Sequence, residues 1–393
     1  MWNTLNNFFS SRNKAPASLQ RERAQRVARA THAATTRDRA QRAPRPEPSS
    51  ANWWEAEEHA HLTDSDVPTR VYASNGSAVS IEKAMTQGGE GSVHPISGDP
   101  LRLVKIYHPS IRNKPERVRR IREKISAMLS YDALLKHDRF AWPRLEVFDV
   151  SGAWLGFAMM RVPGKTLHTF GAPLAFQDAY PRWDRRHMVK VAINLAEGLR
   201  FLNAKGVLMG DVNPGNVLVD PNQAKVSFID CDSYQFTHFD GRRFHCEGKV
   251  DLYTPPELQA VDLSRIAREP KHERFAVAVL LFHVLMLGLH PYSHQGGDSP
   301  VRNLLRAKCP LGHNRECQLP RGPWFTMWTH LPRPVQALFE RAFIPGNRDA
   351  QARPHLGEWC EALRNYLRDL ESGHACLDPV PAKINDRRLK TRR

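Results

Sequence analysis

Cysteine is scarce and scattered: six residues in 393 (Cys231, Cys246, Cys309, Cys317, Cys360, Cys376), none in a Cys-x-x-Cys pair. That excludes a disulfide framework and argues for a reducing compartment. Cys309-x-x-x-His313-x-x-x-Cys317 offers three zinc-ligand types at loose spacing with no evident fourth, so a plain loop insertion is the better expectation there. Long apolar runs are missing too. The nearest, Phe275 to Leu289, is about fifteen residues with His283 inside it. At 1.5 Å per residue it falls short of a hydrocarbon core of roughly 30 Å. Met1 to Phe9 is too short and too polar for a secretory signal, so the expected location is cytoplasmic, with no membrane span.

Acidic residues are the other deficit, 41 Asp and Glu against 57 Lys and Arg. Residues 1 to 50 hold ten basic groups and three acidic ones, +7 of the formal +16. Large apolar residues almost vanish there after Phe9, so the stretch cannot bury enough surface to offset chain ordering. We read residues 1–75 as a basic, largely disordered arm. Its charge suits nucleic acid, anionic lipid or another acidic partner, although it lacks the aromatics that stack on bases; a solvated tail is the alternative. A second basic tail is expected at 371–393.

What is present is concentrated in residues 206 to 232, GVLMGDVNPGNVLVDPNQAKVSFIDCD. Asp211 is followed five residues later by Asn216, and fourteen residues after that Asp230 ends a strand-like run. This is the layout of a phosphoryl-transfer site: one carboxylate orients the attacking hydroxyl, while an amide and a second carboxylate hold metal. Upstream, Thr86-Gln87-Gly88-Gly89-Glu90-Gly91-Ser92-Val93 is a glycine-rich turn whose backbone N–H groups can approach phosphates. A strand-like run, Leu101 to Tyr107, then carries Lys105.

These motifs, together with Pro255-Pro256-Glu257 and a late Arg353, resemble a eukaryotic-like protein kinase domain from about Ile81 to Leu370. Gly-Asp-Val-Asn-Pro-Gly-Asn, Ile-Asp-Cys-Asp-Ser-Tyr-Gln and Tyr-Thr-Pro-Pro-Glu-Leu are similar to the bacterial YegI-type family, whose longer members add a helix-hairpin-helix DNA-binding segment. The residues after Leu370 are too few for that segment, so DNA binding is not carried over. The resemblance implies an α+β, two-lobed fold, with a β-rich N-lobe at 76–162, a helical C-lobe at 163–370, and Mg-ATP in the cleft. It implies transfer of the γ-phosphoryl group to a protein hydroxyl. It assigns catalysis to Asp211, Lys105 and Asn213, and metal (Mg²⁺, or Mn²⁺) to Asn216 and Asp230. Nucleotide contacts fall to Thr86, Gly88, Gly89, Gly91, Val93, Lys105, Met160 and Val162, with Met159 as gatekeeper. It also implies a buried helix that begins with a bracing acid, here Glu273, and an ion pair between Glu257 and Arg353.

Departures from the pattern carry their own expectations. Gly210 replaces the arginine that answers an activation-loop phosphate, so phosphorylation there is an unlikely switch. Asn213 stands where a lysine usually neutralises the γ-phosphate. Asp232 replaces the glycine that lets the metal-binding segment flip. Pro115 to Leu129 reads as an amphipathic helix, yet Glu123, at the right distance to pair with Lys105, falls nearly opposite its apolar stripe at about 100° per residue. Three functions stay open: a serine/threonine protein kinase, a small-molecule kinase of the aminoglycoside or choline type, and a nucleotide-binding scaffold.

Overall fold

The alternating run around Lys105 is realised as the longest strand of a curved sheet. The computed structural model describes residues 67–312 and 317–383. It divides into two compact units: one runs to Arg119 and takes in Leu145–Ala158, and the other comprises Arg120–Arg144 and the chain from Met159.

The first unit is built on seven strands: β1 (Arg70–Tyr72), β2 (Ala78–Ser80), β3 (Thr86–Gln87), β4 (Gly91–Ile96), β5 (Asp99–Tyr107), β6 (Pro143–Phe148) and β7 (Trp154–Met160), in the order β2-β1-β6-β7-β5-β4-β3. Successive side chains of a strand point to opposite faces. Accordingly Val104 and Ile106 enter a core with Val71, Ile96, Val147 and Leu155, while Lys105 takes the other face beside Tyr107. The approach of β7 to β5 is close enough to demand glycine: a Cβ on Gly156 would lie 2.0 Å from the Lys105 carbonyl oxygen.

The helix α1 (Pro115–Met128) begins in the first unit; its remainder, from Arg120, belongs to the second and buries Ile125, Ala127 and Met128 near its C-terminal end. The helix α2 (Arg185–Ala204) is capped by Asp184 and buries Met188, Val191, Leu195, Leu199 and Leu202 along one face. It packs on α3 (Pro270–Leu285) and on α5 (Leu356–Glu371), with α4 (Arg333–Phe343) against α3 and α5. From Phe275 onward α3 is buried all round, which explains its uninterrupted apolar sequence. Two small sheets sit in this unit. One joins β10 (Val217–Val219) to β11 (Val226–Phe228) and β8 (Lys165–Thr166); the other joins β12 (Gln235–Thr237) to β13 (Arg243–Phe244) and β9 (Val207–Leu208). No helix among the described residues is long and apolar enough to cross a membrane.

Three boundaries differ from the sequence reading. The folded region begins before residue 76, because β1 pairs with β2 in full register and reaches β6 through Tyr72 and Phe148. Residues 120–144 cluster with the second unit, since their side chains and backbone bond to residues 228–247. The start of the C-terminal tail is docked: buried Arg185 donates to the carbonyl of Pro379 at 2.9 Å, and its N–H donates to that of Leu377 at 2.8 Å. Most of the arm, residues 1–66, lies outside the described residues, as does His313. Cys309 and Cys317 are buried, and burial pushes the Cys309 thiol up to about 12.

Candidate active site

The second unit assembles its polar centre from one strand, one turn and one hairpin. After β9, Gly210 adopts φ +75°, a left-handed conformation that swings the chain into Asp211. Its N–H donates to Glu273 Oε1 at 3.1 Å, and the other oxygen of Glu273 accepts from Asn203 at 2.6 Å, so the buried acid at the start of α3 braces the loop from below. Burial raises the Glu273 carboxyl, against the pull of its hydrogen bonds and of Arg268.

Asn213 caps the short 3₁₀ turn Pro214–Asn216: its Oδ1 accepts from Gly215 N–H at 2.8 Å, and its Nδ2 donates to the Asp211 carbonyl at 3.2 Å. Asn216 donates to the same carbonyl at 3.1 Å and to Asp211 Oδ2 at 3.4 Å. These bonds use the amide nitrogen and leave the Asn216 oxygen free of that duty. The hairpin register, Val217 opposite Phe228, brings the next residues out to one end, where Ile229 N–H donates to the Asn216 carbonyl at 3.1 Å. Asp230 follows at φ +56°, ψ +37°. A non-glycine residue held there costs on the order of 1–3 kcal/mol, which a functional position can justify.

Burial raises the Asp211 carboxyl; Asn213 opposes this, the nearby negative charge of Asp230 reinforces it, and Arg268 and Asn216 oppose it. Asn216 and Asp230 offer an amide and a carboxylate oxygen, hard donors of the kind that Mg²⁺ takes. Beside Asp211 a shallow hollow is lined by Gly210, Lys249, Val250, Tyr253, Thr254 and Leu258 among others. The loop that supplies Tyr253 to Leu258 is tied down by the fully buried Arg353, whose guanidinium forks onto Glu257 at 2.6 and 2.8 Å.

In the first unit the antiparallel register sets Thr86 opposite Val93 and Val93 opposite Lys105, so three candidate nucleotide residues form one cross-strand row. Lys105 is buried, with Nζ 5.4 Å from the Tyr107 ring centroid. The glycine turn closes through Gly88 N–H to the Gly91 carbonyl at 2.9 Å, while Gly89 has open space around its Cα. Two residues that sequence reasoning passed over fasten this turn. His108 Nε2 bonds the Gly88 carbonyl at 2.7 Å, and Arg117 pairs with Glu90 at 2.8 Å. No local pattern announces either one.

Met159 and Val162 are buried at and after the end of β7, with Met160 half-buried between them. Glu123 is exposed, and its charge acts on Arg242, just before β13. Arg268, also missed, lies among Gly210, Cys246 and Gly248.

Protein kinase YegI of Escherichia coli K12 is 30% identical over 329 residues, 81% of this chain and 49% of that protein. The O157:H7 protein of the same name is 31% identical over 304 residues, 75% of this chain and 45% of its own length. This chain carries a protein-kinase domain similar to that of YegI. It spans about half the length of these curated relatives. CBL-interacting protein kinase 4 of Oryza sativa subsp. japonica matches this kinase domain more narrowly, 32% over 158 residues, 40% of this chain and 30% of that one. Among solved structures, the ROP18 kinase domain in complex with AMP-PNP and sucrose superposes with a TM-score of 0.50 at 16% identity, covering 78% of this chain and 87% of that chain; at that identity it speaks for the α+β kinase fold alone. No family model matches the chain.

Proposed function

We propose that this kinase domain is an active, ATP- and Mg-dependent serine/threonine protein kinase of the cytoplasm. The observation that carries the reading is the cluster of Asp211, Asn216 and Asp230, in which the Asn216 amide bonds Asp211 and the Asp230 charge acts on it. Asp211 accepts the proton of the acceptor hydroxyl as its oxygen attacks the γ-phosphorus. The bond from that phosphorus to the bridging oxygen breaks, and ADP leaves. Asn216 and Asp230 would hold Mg²⁺, which when bound neutralises charge on the phosphate oxygens. Lys105 would pair with the phosphates, the turn from Thr86 to Val93 would cover them, and the backbone of Met160 to Val162 would meet the adenine edge, with Met159 as gatekeeper. Asn213 acts through its cap on the 214–216 turn, which sets where Asp211 and Asn216 stand.

Support for a protein acceptor comes from the segment 235–257, a hairpin followed by a loop tied down through Glu257 and Arg353 beside Asp211. The few scattered cysteines, none in a Cys-x-x-Cys pair, suit the cytoplasm. The test is phosphoryl transfer from γ-labelled ATP to a protein acceptor. Label that requires Mg²⁺ and appears on serine or threonine supports the reading, whereas label found only on an added aminoglycoside or choline points to a small-molecule kinase. Nucleotide binding without any transfer points to a scaffold.

A further inference from the structure

Resting on the kinase reading, we infer that Arg268 is a positioning residue for Asp211: its buried guanidinium locks residues 246–248 against the catalytic loop and makes that geometry independent of phosphorylation. Residue 210 contributes no side chain, and the space one would fill is taken. A Cβ on Gly210 would lie 2.6 Å from Cys246 Cβ, 2.8 Å from its Sγ and 3.3 Å from Arg268 Nη1. The guanidinium of Arg268, delivered from the loop before α3, thus packs against the backbone of residue 210 in the space a side chain there would need.

Each arm of that guanidinium is engaged. Nη1 donates to the Cys246 carbonyl, and Nη2 donates to the Gly248 carbonyl at 2.5 Å. The backbone of Arg268 is itself cross-braced. Its N–H donates to Gln235 Oε1 at 2.8 Å, and its carbonyl accepts from Gln235 Nε2 at 2.8 Å. Gly248 in turn backs onto the catalytic acid, since a Cβ there would sit 3.4 Å from Asp211 Oδ2. The chain of contacts thus runs from β12 through Arg268 to the segment that walls Asp211.

A second set of fasteners holds the same segment from α1. Lys124 Nζ donates to the His245 carbonyl at 3.2 Å, and Arg120 pairs with Glu247 at 3.8 Å. Backbone carbonyls and a carboxylate thus receive the cations that a phosphate would otherwise attract. No phosphate is offered in this stretch, because His238 to Leu252 contains no serine, threonine or tyrosine. The nearest flanking hydroxyls are Thr237, exposed on β12, and Tyr253.

Arg268 is also the cation among the groups that act on Asp211.

The experiment compares wild type, Arg268→Gln and Arg268→Lys in the full chain. Phosphatase-treated wild type should keep its rate. Arg268→Gln should lose about 10²-fold in kcat, the order expected for a small displacement of a catalytic group, with little change in KM. Arg268→Lys should recover only part of kcat, since an ammonium cannot fork onto two carbonyls. Amides 246–250 should exchange with deuterium faster in Arg268→Gln than in wild type. A rate abolished by phosphatase, or dependent on phosphate at Thr237, overturns the inference, as does an unchanged kcat, or a loss carried by KM alone, in Arg268→Gln. Absence of transfer by the wild type overturns the catalytic part together with the kinase reading, and deuterium exchange then decides the bracing separately. If Arg268→Gln does not fold, Arg268→Lys and the phosphatase arm still decide the inference.

Discussion

Replacing Glu257 by glutamine isolates one ion pair with a calculable effect. Arg353 is fully buried and bonds both oxygens of Glu257 as well as the carbonyls of Gly346 at 2.7 Å and Lys271 at 3.0 Å. Glutamine keeps the shape and removes the charge, leaving a buried cation with neutral acceptors. Removing one partner of a buried pair costs about 3–5 kcal/mol. The Glu257 side chain keeps 33% exposure, so water reaches its side of the pair and the lower end applies, about 3 kcal/mol. For a unit of this size that corresponds to a melting temperature lower by about 6–12 °C. Burial alone would raise the Glu257 carboxyl, but the Arg353 fork outweighs it and holds the group below its ordinary value of 4.5. A depressed carboxyl stabilises above its unfolded-state pKa, and that contribution is lost as pH falls through the folded-state value. The gap between wild type and Glu257→Gln should therefore be constant near neutrality and close below about pH 4.5. Calorimetry across pH checks this. A gap under 2 °C at pH 7, or one that widens on acidification, refutes the reasoning.

Asp211→Asn should lower kcat by about 10²–10⁴-fold while ATP affinity is retained, as measured by single-turnover transfer alongside nucleotide titration. Chelating divalent metal should abolish transfer, and Mg²⁺ or Mn²⁺ should restore it; Asp230→Asn should need more metal for half-maximal rate, read from a metal titration. Gly156→Val should destabilise the first unit, because a Cβ would lie 2.0 Å from the Lys105 carbonyl, and limited proteolysis should then cut β5 and β7 early. Deleting residues 1–60 spares β1 and tests the arm: unchanged rate and location would remove it from any regulatory account.

The cluster proposed as catalytic could be anticipated because it is local. Asp211, Asn216 and Asp230 lie on one loop and one hairpin, so their spacing in the sequence nearly fixes their meeting in space. Helical periodicity was equally informative, setting Glu123 off the apolar stripe of α1, and the structure leaves that residue exposed. Arg268 and His108 were invisible for the opposite reason. Each acts on backbone carbonyls about twenty residues away, and a carbonyl leaves no mark on the sequence. The vacancy at Gly210 could be read, but not that Cys246 and Arg268 fill it. The strand Arg70–Tyr72 escaped because three residues are too few for a period-two pattern, and only pairing reveals it.

The account stands on whether Asp211 and Asp230 transfer phosphate. Purified chain, Mg²⁺, γ-labelled ATP and a generic protein acceptor, with Asp211→Ala and Asp230→Ala as controls, test this directly. The account predicts label on the acceptor or on the chain itself, lost in both variants. Label that persists in Asp211→Ala, or its absence from every protein while ATP still binds, would contradict it.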